Sequence, residues 1–229
     1  MSIGARLAEL RARIAAACAA AGRDAAEVVL VAVSKNHPAA AVREAMAHGQ
    51  TVFGENRVQE LAGKARELAE AGPEWHMVGT VQTNKVKDLL AVPGLALIHS
   101  LDREKLADAL QARWASARQG RGPLRCLLQV AVTGEPTKHG VPVDGARALL
   151  THVVRDCPDL APCGLMAMGP LDGDPRPTFT EVAALAARLR DASGLPLPVL
   201  SMGMTGDFEA AIAAGSTMVR VGTGVFGPR

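Results

Sequence analysis

The chain has 229 residues, 48% hydrophobic and 21% charged, with 25 Lys+Arg against 23 Asp+Glu and a formal net charge of +2. A chain of this size buries roughly 70% of its unfolded surface on folding, which excludes disorder as its main state. Scattered cations and an aromatic set of four Phe, two Trp and no Tyr argue against nucleic acid as a partner, and no apolar run reaches the ~18 residues of a membrane span.

The opening segment, MSIGARLAELRARIAAACAAAG, has arginines interrupting its apolar positions and reads as an amphipathic helix, not a targeting peptide. Short β-branched runs then alternate with alanine- and leucine-rich helical stretches. The run 28–35 (VVLVAVSK) precedes a helix over 38–48, the run 51–56 a helix over 58–71, and the run 74–79 a helix over 84–90. The run 96–101 leads to a helix over 103–118, and 126–132 to one over 143–156. The run 163–168 is followed by a helix over 178–193 and 199–204 by one over 207–214, and the run 217–222 closes the series. Prolines near helix starts and glycines just past helix ends punctuate these units.

Strand alternating with helix implies a parallel sheet, and eight repeats behind an extra helix imply a closed (β/α)8 TIM barrel. An open doubly wound sheet is the alternative; it would want GxGxxG after its first strand, where SKNHP stands. No linker or composition shift divides the chain, so residues 1–229 are expected to form a single domain. The cysteines at 18, 126, 157 and 163 show neither CxxC nor zinc-finger spacing, so no metal site or disulfide framework is expected, and four neutral thiols suit the cytoplasm.

In such a barrel the chemistry sits at the C-terminal ends of the strands. Lys35 closes an apolar strand and is either snorkelling from the barrel mouth or a desolvated amine fit for a Schiff base. Ser201-Met-Gly-Met-Thr-Gly206 opens into a helix after the seventh strand, and the eighth ends Arg220-Val-Gly-Thr-Gly224. Glycine turns at these two strands, with hydroxyls from Ser201 and Thr223, are a phosphate-binding pattern. Arg220, between two valines, is either ion-paired inside the barrel, for instance with Glu55, or aimed at a ligand. A lysine anchor, a phosphate cradle and an inward arginine together describe pyridoxal 5′-phosphate (PLP). Ser100, Gln129 and Thr133 also fall at strand ends. His76 is a candidate for lining the pocket. Met166, Met168 and Met202 read as packing residues, with Met204 the exception, and Trp75 and Trp114 likewise read as packing. His48, His139 and His152 read as exposed helix or loop residues. No spacing argument assigns a role to Lys138.

The segments LVAVSKNHP (30–38), VFGENRVQEL (52–61), WHMVGTVQTNK (75–85), HSLD (99–102), GEPTKHGV (134–141), GLMAM (164–168) and LSMGMTGDFEAAIAAGSTMVRVGTGVFG (200–227) resemble the pyridoxal phosphate homeostasis proteins, relatives of the barrel domain of alanine racemase. The resemblance spans essentially the whole chain. It implies that Lys35 carries the cofactor as a Schiff base and that Asn56 lies near the ring. It further implies that Ser201, Gly203, Met204, Gly222 and Thr223 hold the phosphate, and that Arg220 faces the pyridine nitrogen. Thr80 stands where the family usually has histidine, and His37 replaces a common lysine.

A racemase needs a second base opposite the lysine, a tyrosine in alanine racemase-like enzymes, and this chain has none. A permanently charged arginine at the ring nitrogen also weakens the ring as an electron sink. The expected function is therefore a non-catalytic carrier or buffer of PLP, delivering it to PLP-dependent apo-enzymes, as a monomer or weak homodimer. The alternatives are a weak racemase or lyase, and a PLP-free barrel enzyme acting on a sugar phosphate.

Overall fold

The computed structural model describes residues 1–118, 120–132 and 139–228. In chain order the elements are α1 (Ile3–Ala20), β1 (Val29–Val33), α2 (Ala39–Ala47), β2 (Val52–Glu55), α3 (Val58–Glu67), β3 (Glu74–Met77), α4 (Val86–Leu90), β4 (Leu95–Leu101) and α5 (Glu104–Ala117). They continue with β5 (Leu124–Ala131), β6 (Val141–Pro142), α6 (Ala146–Asp156), β7 (Leu160–Met166), α7 (Arg176–Ser193), β8 (Val199–Ser201), α8 (Phe208–Ala213), β9 (Met218–Val221) and α9 (Thr223–Phe226).

The sheet runs β4-β3-β2-β1-β9-β8-β7-β5, and a further β4–β5 pairing closes it into an eight-stranded barrel. All these pairings are parallel, so the expected (β/α)8 barrel is formed. Alternation of side chains along each strand sorts the residues into two layers. Val31, Leu97, Leu127, Met166 and Met218 pack together inside the barrel. Ala32, Phe53, Trp75, Ile98, Leu128 and Val219 face outward into the core beneath the helices. Trp75 and Trp114 are buried there, as expected of packing residues.

The extra helix α1 begins at Ser2, whose hydroxyl accepts the Ala5 amide at 3.3 Å. Its buried residues Leu7, Leu10, Ile14 and Cys18 recur at helical spacing, and arginines flank that stripe, Arg11 donating to the His48 carbonyl at 2.8 Å. Arg13 stacks 4.7 Å above the Phe208 ring and pairs with Glu209. No described helix is long and apolar enough to cross a membrane. All four cysteines are free thiols, and burial pushes the Cys157 thiol up to about 11, so they stay neutral.

Several element bounds differ from the sequence reading by a few residues, and three differences have a clear physical reason. β7 starts at Leu160 rather than 163, because Pro162 is accommodated beside a register shift at Cys126/Leu127 instead of ending the strand. The two-residue β6, which pairs with β5, and the closing helix α9 were not anticipated, since both are too short to carry a periodic signal.

Candidate functional site

A cavity of about 310 Å³ opens at the C-terminal mouth of the barrel. Lys35, Asn56, Met204, Arg220, Gly222 and Thr223 all line it. Six residues from four strand ends thus converge on one pocket.

Lys35 lies two residues past β1, on a turn braced from behind. Asn36 takes a left-handed conformation (φ 63°), and its amide donates to Glu60 Oε2 at 3.0 Å. Lys64 Nζ donates to the Ser34 carbonyl at 2.7 Å and pairs with the fully buried Glu55, which also accepts the Ser34 hydroxyl at 2.6 Å. Burial raises the Glu55 carboxyl above the usual range, against the pull of Lys64 and Ser34. Glu55 therefore faces the helices and is not the partner of Arg220.

Asn56 follows β2 directly, and its Oδ1 is buried with no hydrogen-bond partner. Gly79, on the neighbouring loop, has no room for a side chain: a Cβ there would sit 2.2 Å from the Asn56 carbonyl oxygen. This close approach holds the two loops together at the pocket edge.

The floor belongs to Arg220, level with Val31 in the barrel and 6% exposed. Its guanidinium donates to the Ser201 carbonyl at 2.6 Å, the Ser201 hydroxyl at 2.8 Å and the Ala167 carbonyl at 2.9 Å. Desolvation lowers its pKa to about 10, so it is still a cation at neutral pH.

Ser201 and Gly203 do not line the cavity. The Ser201 side chain is fully buried beneath it, with its hydroxyl engaged by Arg220 and His99. Gly203, at φ 89°, makes the turn out of β8, where a Cβ would meet Ala211 and Phe208 within 2.8 Å. Its carbonyl accepts the Arg220 amide at 3.0 Å, and the following Met204 amide donates to Asp207 Oδ1 at 2.6 Å. On the other side α9 starts at Thr223, so the Thr223 and Gly224 amides have no acceptor within their own helix.

Some expectations moved. Met166 and Met168, read as packing, also line the cavity. His76 is not in the lining but inside the barrel, hydrogen-bonded to His99. His99 was not among the candidate residues; its neighbour Ser100, which was, points the other way and donates to the Gly79 carbonyl at 2.6 Å. The signal was alternation, since Leu97 faces inward and His99 follows it by two. Gln129 donates to the His139 carbonyl at 2.6 Å. Thr133 and Lys138 lie outside the described residues.

One other chemical cluster stands on the outer helices. His152, which was expected to be exposed, is largely covered and held between Asp108 at 2.7 Å and Asp156 at 3.0 Å. Cys157 lies close by, the three ligand atoms of Asp108, His152 and Cys157 falling within 4.8 Å of one another.

The family model for the alanine racemase N-terminal domain matches residues 5–229. A protein of Pseudomonas aeruginosa named "pyridoxal phosphate homeostasis protein" is 44% identical over 233 residues, covering 100% of this chain and 96% of that one. PipY of Synechococcus elongatus is 38% identical and matches 99% of this chain and 100% of its own, with a TM-score of 0.86 for its structure without PLP and 0.84 for the one with PLP bound.

Proposed function

The chain belongs to the alanine racemase N-terminal domain family, among the pyridoxal phosphate homeostasis proteins, and we propose that it binds PLP as a cytoplasmic carrier, with residues 1–229 acting as one cofactor-binding domain. The observation that carries this reading is the single cavity shared by Lys35, Asn56, Arg220 and the glycine turns after β8 and β9. Each feature of that cavity fits a part of the cofactor. The half-buried Lys35 lines the cavity, where its amine would hold the cofactor through its aldehyde, a condensation that releases one water. The unpartnered Asn56 Oδ1 awaits a donor, a need that a ligand hydroxyl or imine N–H would meet. Arg220 presents its cation to the floor, suited to an unprotonated ring nitrogen.

An anion at the rim would be met by the first-turn amides of Thr223 and Gly224 and the Thr223 hydroxyl, with Met204 and Thr205 of the turn after β8 opposite. Ser201, which the resemblance assigns to the phosphate, lies beneath the cavity with its hydroxyl accepting from Arg220. When bound, PLP supplies an electrophilic carbonyl and an electron sink, and the sink is weak unless the ring nitrogen is protonated. A cation fixed at the floor opposes that protonation, so the site favours holding the cofactor over carbanion chemistry.

A racemase reading would need His37 as the second base; it lines the pocket and stacks on Phe226 at 5.1 Å. The two are separated by incubating the PLP-loaded protein with amino acids in deuterium oxide. Intact cofactor passed to an apo-enzyme without α-proton exchange is the carrier result, and catalytic exchange that is lost in His37→Ala contradicts it.

A further inference from the structure

Arg220 is a buried cation whose side chain, among the described residues, donates to three oxygens, none of them a carboxylate. Such a charge is costly unless something compensates it. Four polar residues run from Arg220 down the barrel interior to its opposite mouth. Ser201 Oγ is 3.0 Å from His99 Nδ1, His99 Nε2 is 3.0 Å from His76 Nδ1, and His76 Nε2 is 2.9 Å from Glu74 Oε1. Ser201, His99 and His76 are buried, while Glu74 is exposed at the start of β3.

The hydrogen-bonding capacities fix a direction. Arginine can only donate, so Ser201 Oγ accepts from it; with the Glu74 carboxylate able only to accept at the other end, neutral imidazoles between them require the Ser201 O–H to go to His99 Nδ1. That nitrogen is then unprotonated, which places the His99 proton on Nε2, donating to His76 Nδ1; the His76 proton goes to Nε2, donating to Glu74. The dipoles align head to tail, with a cation at one end and a carboxylate at the other. Chains polarised in this way strengthen one another. Two shifts agree with the arrangement: burial keeps His99 well below the usual histidine range, and the His76 bond holds Glu74 below the usual carboxylate range, with Arg125 assisting from β5.

We propose that His99 and His76 are positioning residues for Arg220: with Ser201 they form a one-way hydrogen-bond relay that links the arginine to Glu74 at the far mouth and so holds the pocket floor in place. The inference rests on the PLP reading only for what the floor contacts; the relay itself is a property of the protein alone.

The test has two parts. Imidazole 15N spectra of the protein without cofactor should show His99 and His76 neutral, both protonated on Nε2, with the His99 signals shifting in E74Q. A proton on His99 Nδ1, or His99 signals indifferent to E74Q, overturns the relay. PLP affinity and the near-visible band are then compared in wild type, E74Q, H99Q and the double variant. E74Q should weaken binding by at least about threefold and shift the band, and this effect should vanish in the H99Q background. Unchanged binding in E74Q, or an equal effect of E74Q with and without H99Q, overturns it. Should H99Q fail to fold, E74Q decides alone, since its side chain is 44% exposed. Should wild type take up no PLP, the cofactor reading falls and the imidazole signals alone decide the relay.

Discussion

Asn56 and Asp108 show how single side chains separate ligand binding from stability. The buried Asn56 Oδ1 lacks a partner, so Asn56→Ala removes an unsatisfied acceptor from the unliganded protein. It should weaken PLP binding about threefold to tenfold, the worth of one hydrogen bond, and leave the urea unfolding midpoint equal to wild type or higher. Titration with PLP beside an unfolding curve checks both halves. His152 behaves oppositely, because its partners raise its pKa, chiefly the hydrogen bond to Asp108, with Glu104 and Asp156 adding to it. A raised histidine pKa gives stability that is fully present below the unfolded value of 6.5 and lost as pH rises through the folded value. Wild type should therefore exceed Asp108→Asn by no more than about 1 kcal/mol, the scale of an exposed pair, near pH 6 and converge with it toward alkaline pH. A gap that widens with pH would contradict this. At this scale Lys35 and Arg220 were legible because a charge ends or interrupts an apolar strand. His99 was not, because an inward histidine among apolar neighbours resembles any other core position until its partners, 23 and 102 residues away, are known.

Six of the eight barrel strands, all but β4 and β5, contribute to the pocket lining, mostly through short turns at their ends, and the turns are fixed by contacts between elements. Gly79 is the tightest: Gly79→Ala would drive the loop after β3 off the Asn56 backbone. The expected cost is about 1–3 kcal/mol in urea unfolding, together with weaker PLP binding, since Asn56 must move. Behind Lys35, the Glu55–Lys64 pair ties β2 and α3 to the turn after β1. Lys64→Met strands a buried carboxylate and should cost about 3–5 kcal/mol, most of it recovered in the Lys64→Met/Glu55→Gln double variant. No recovery would mean that Lys64 acts through packing alone. The strands and helices themselves were readable, because period 2 and period 3.6 patterns alternate regularly along the chain. Boundaries slipped where the pattern carries no information: at Pro162, inside β7 rather than before it, and at the short β6 and α9. The bracing of the Lys35 turn was likewise invisible, since Ser34, Glu55 and Lys64 meet only across three elements.

For the whole molecule, closure of the barrel through β4–β5 places eight strand ends in one ring, and a single cavity thereby collects residues from position 33 to position 227. Binding that draws on both ends of the chain couples to global unfolding. PLP at about a hundred times its Kd should stabilise the protein by about 2.7 kcal/mol, read as a rise in Tm that grows with cofactor concentration. The central claim is that Lys35 anchors PLP in this pocket, and reduction with borohydride followed by peptide mapping tests it most directly. The account requires a near-visible band on adding PLP, fixed by borohydride onto the peptide containing Lys35 and absent from Lys35→Ala, which still binds the phosphate. A wild type that takes up no PLP, or a label fixed on another lysine while Lys35→Ala keeps the band, would contradict it.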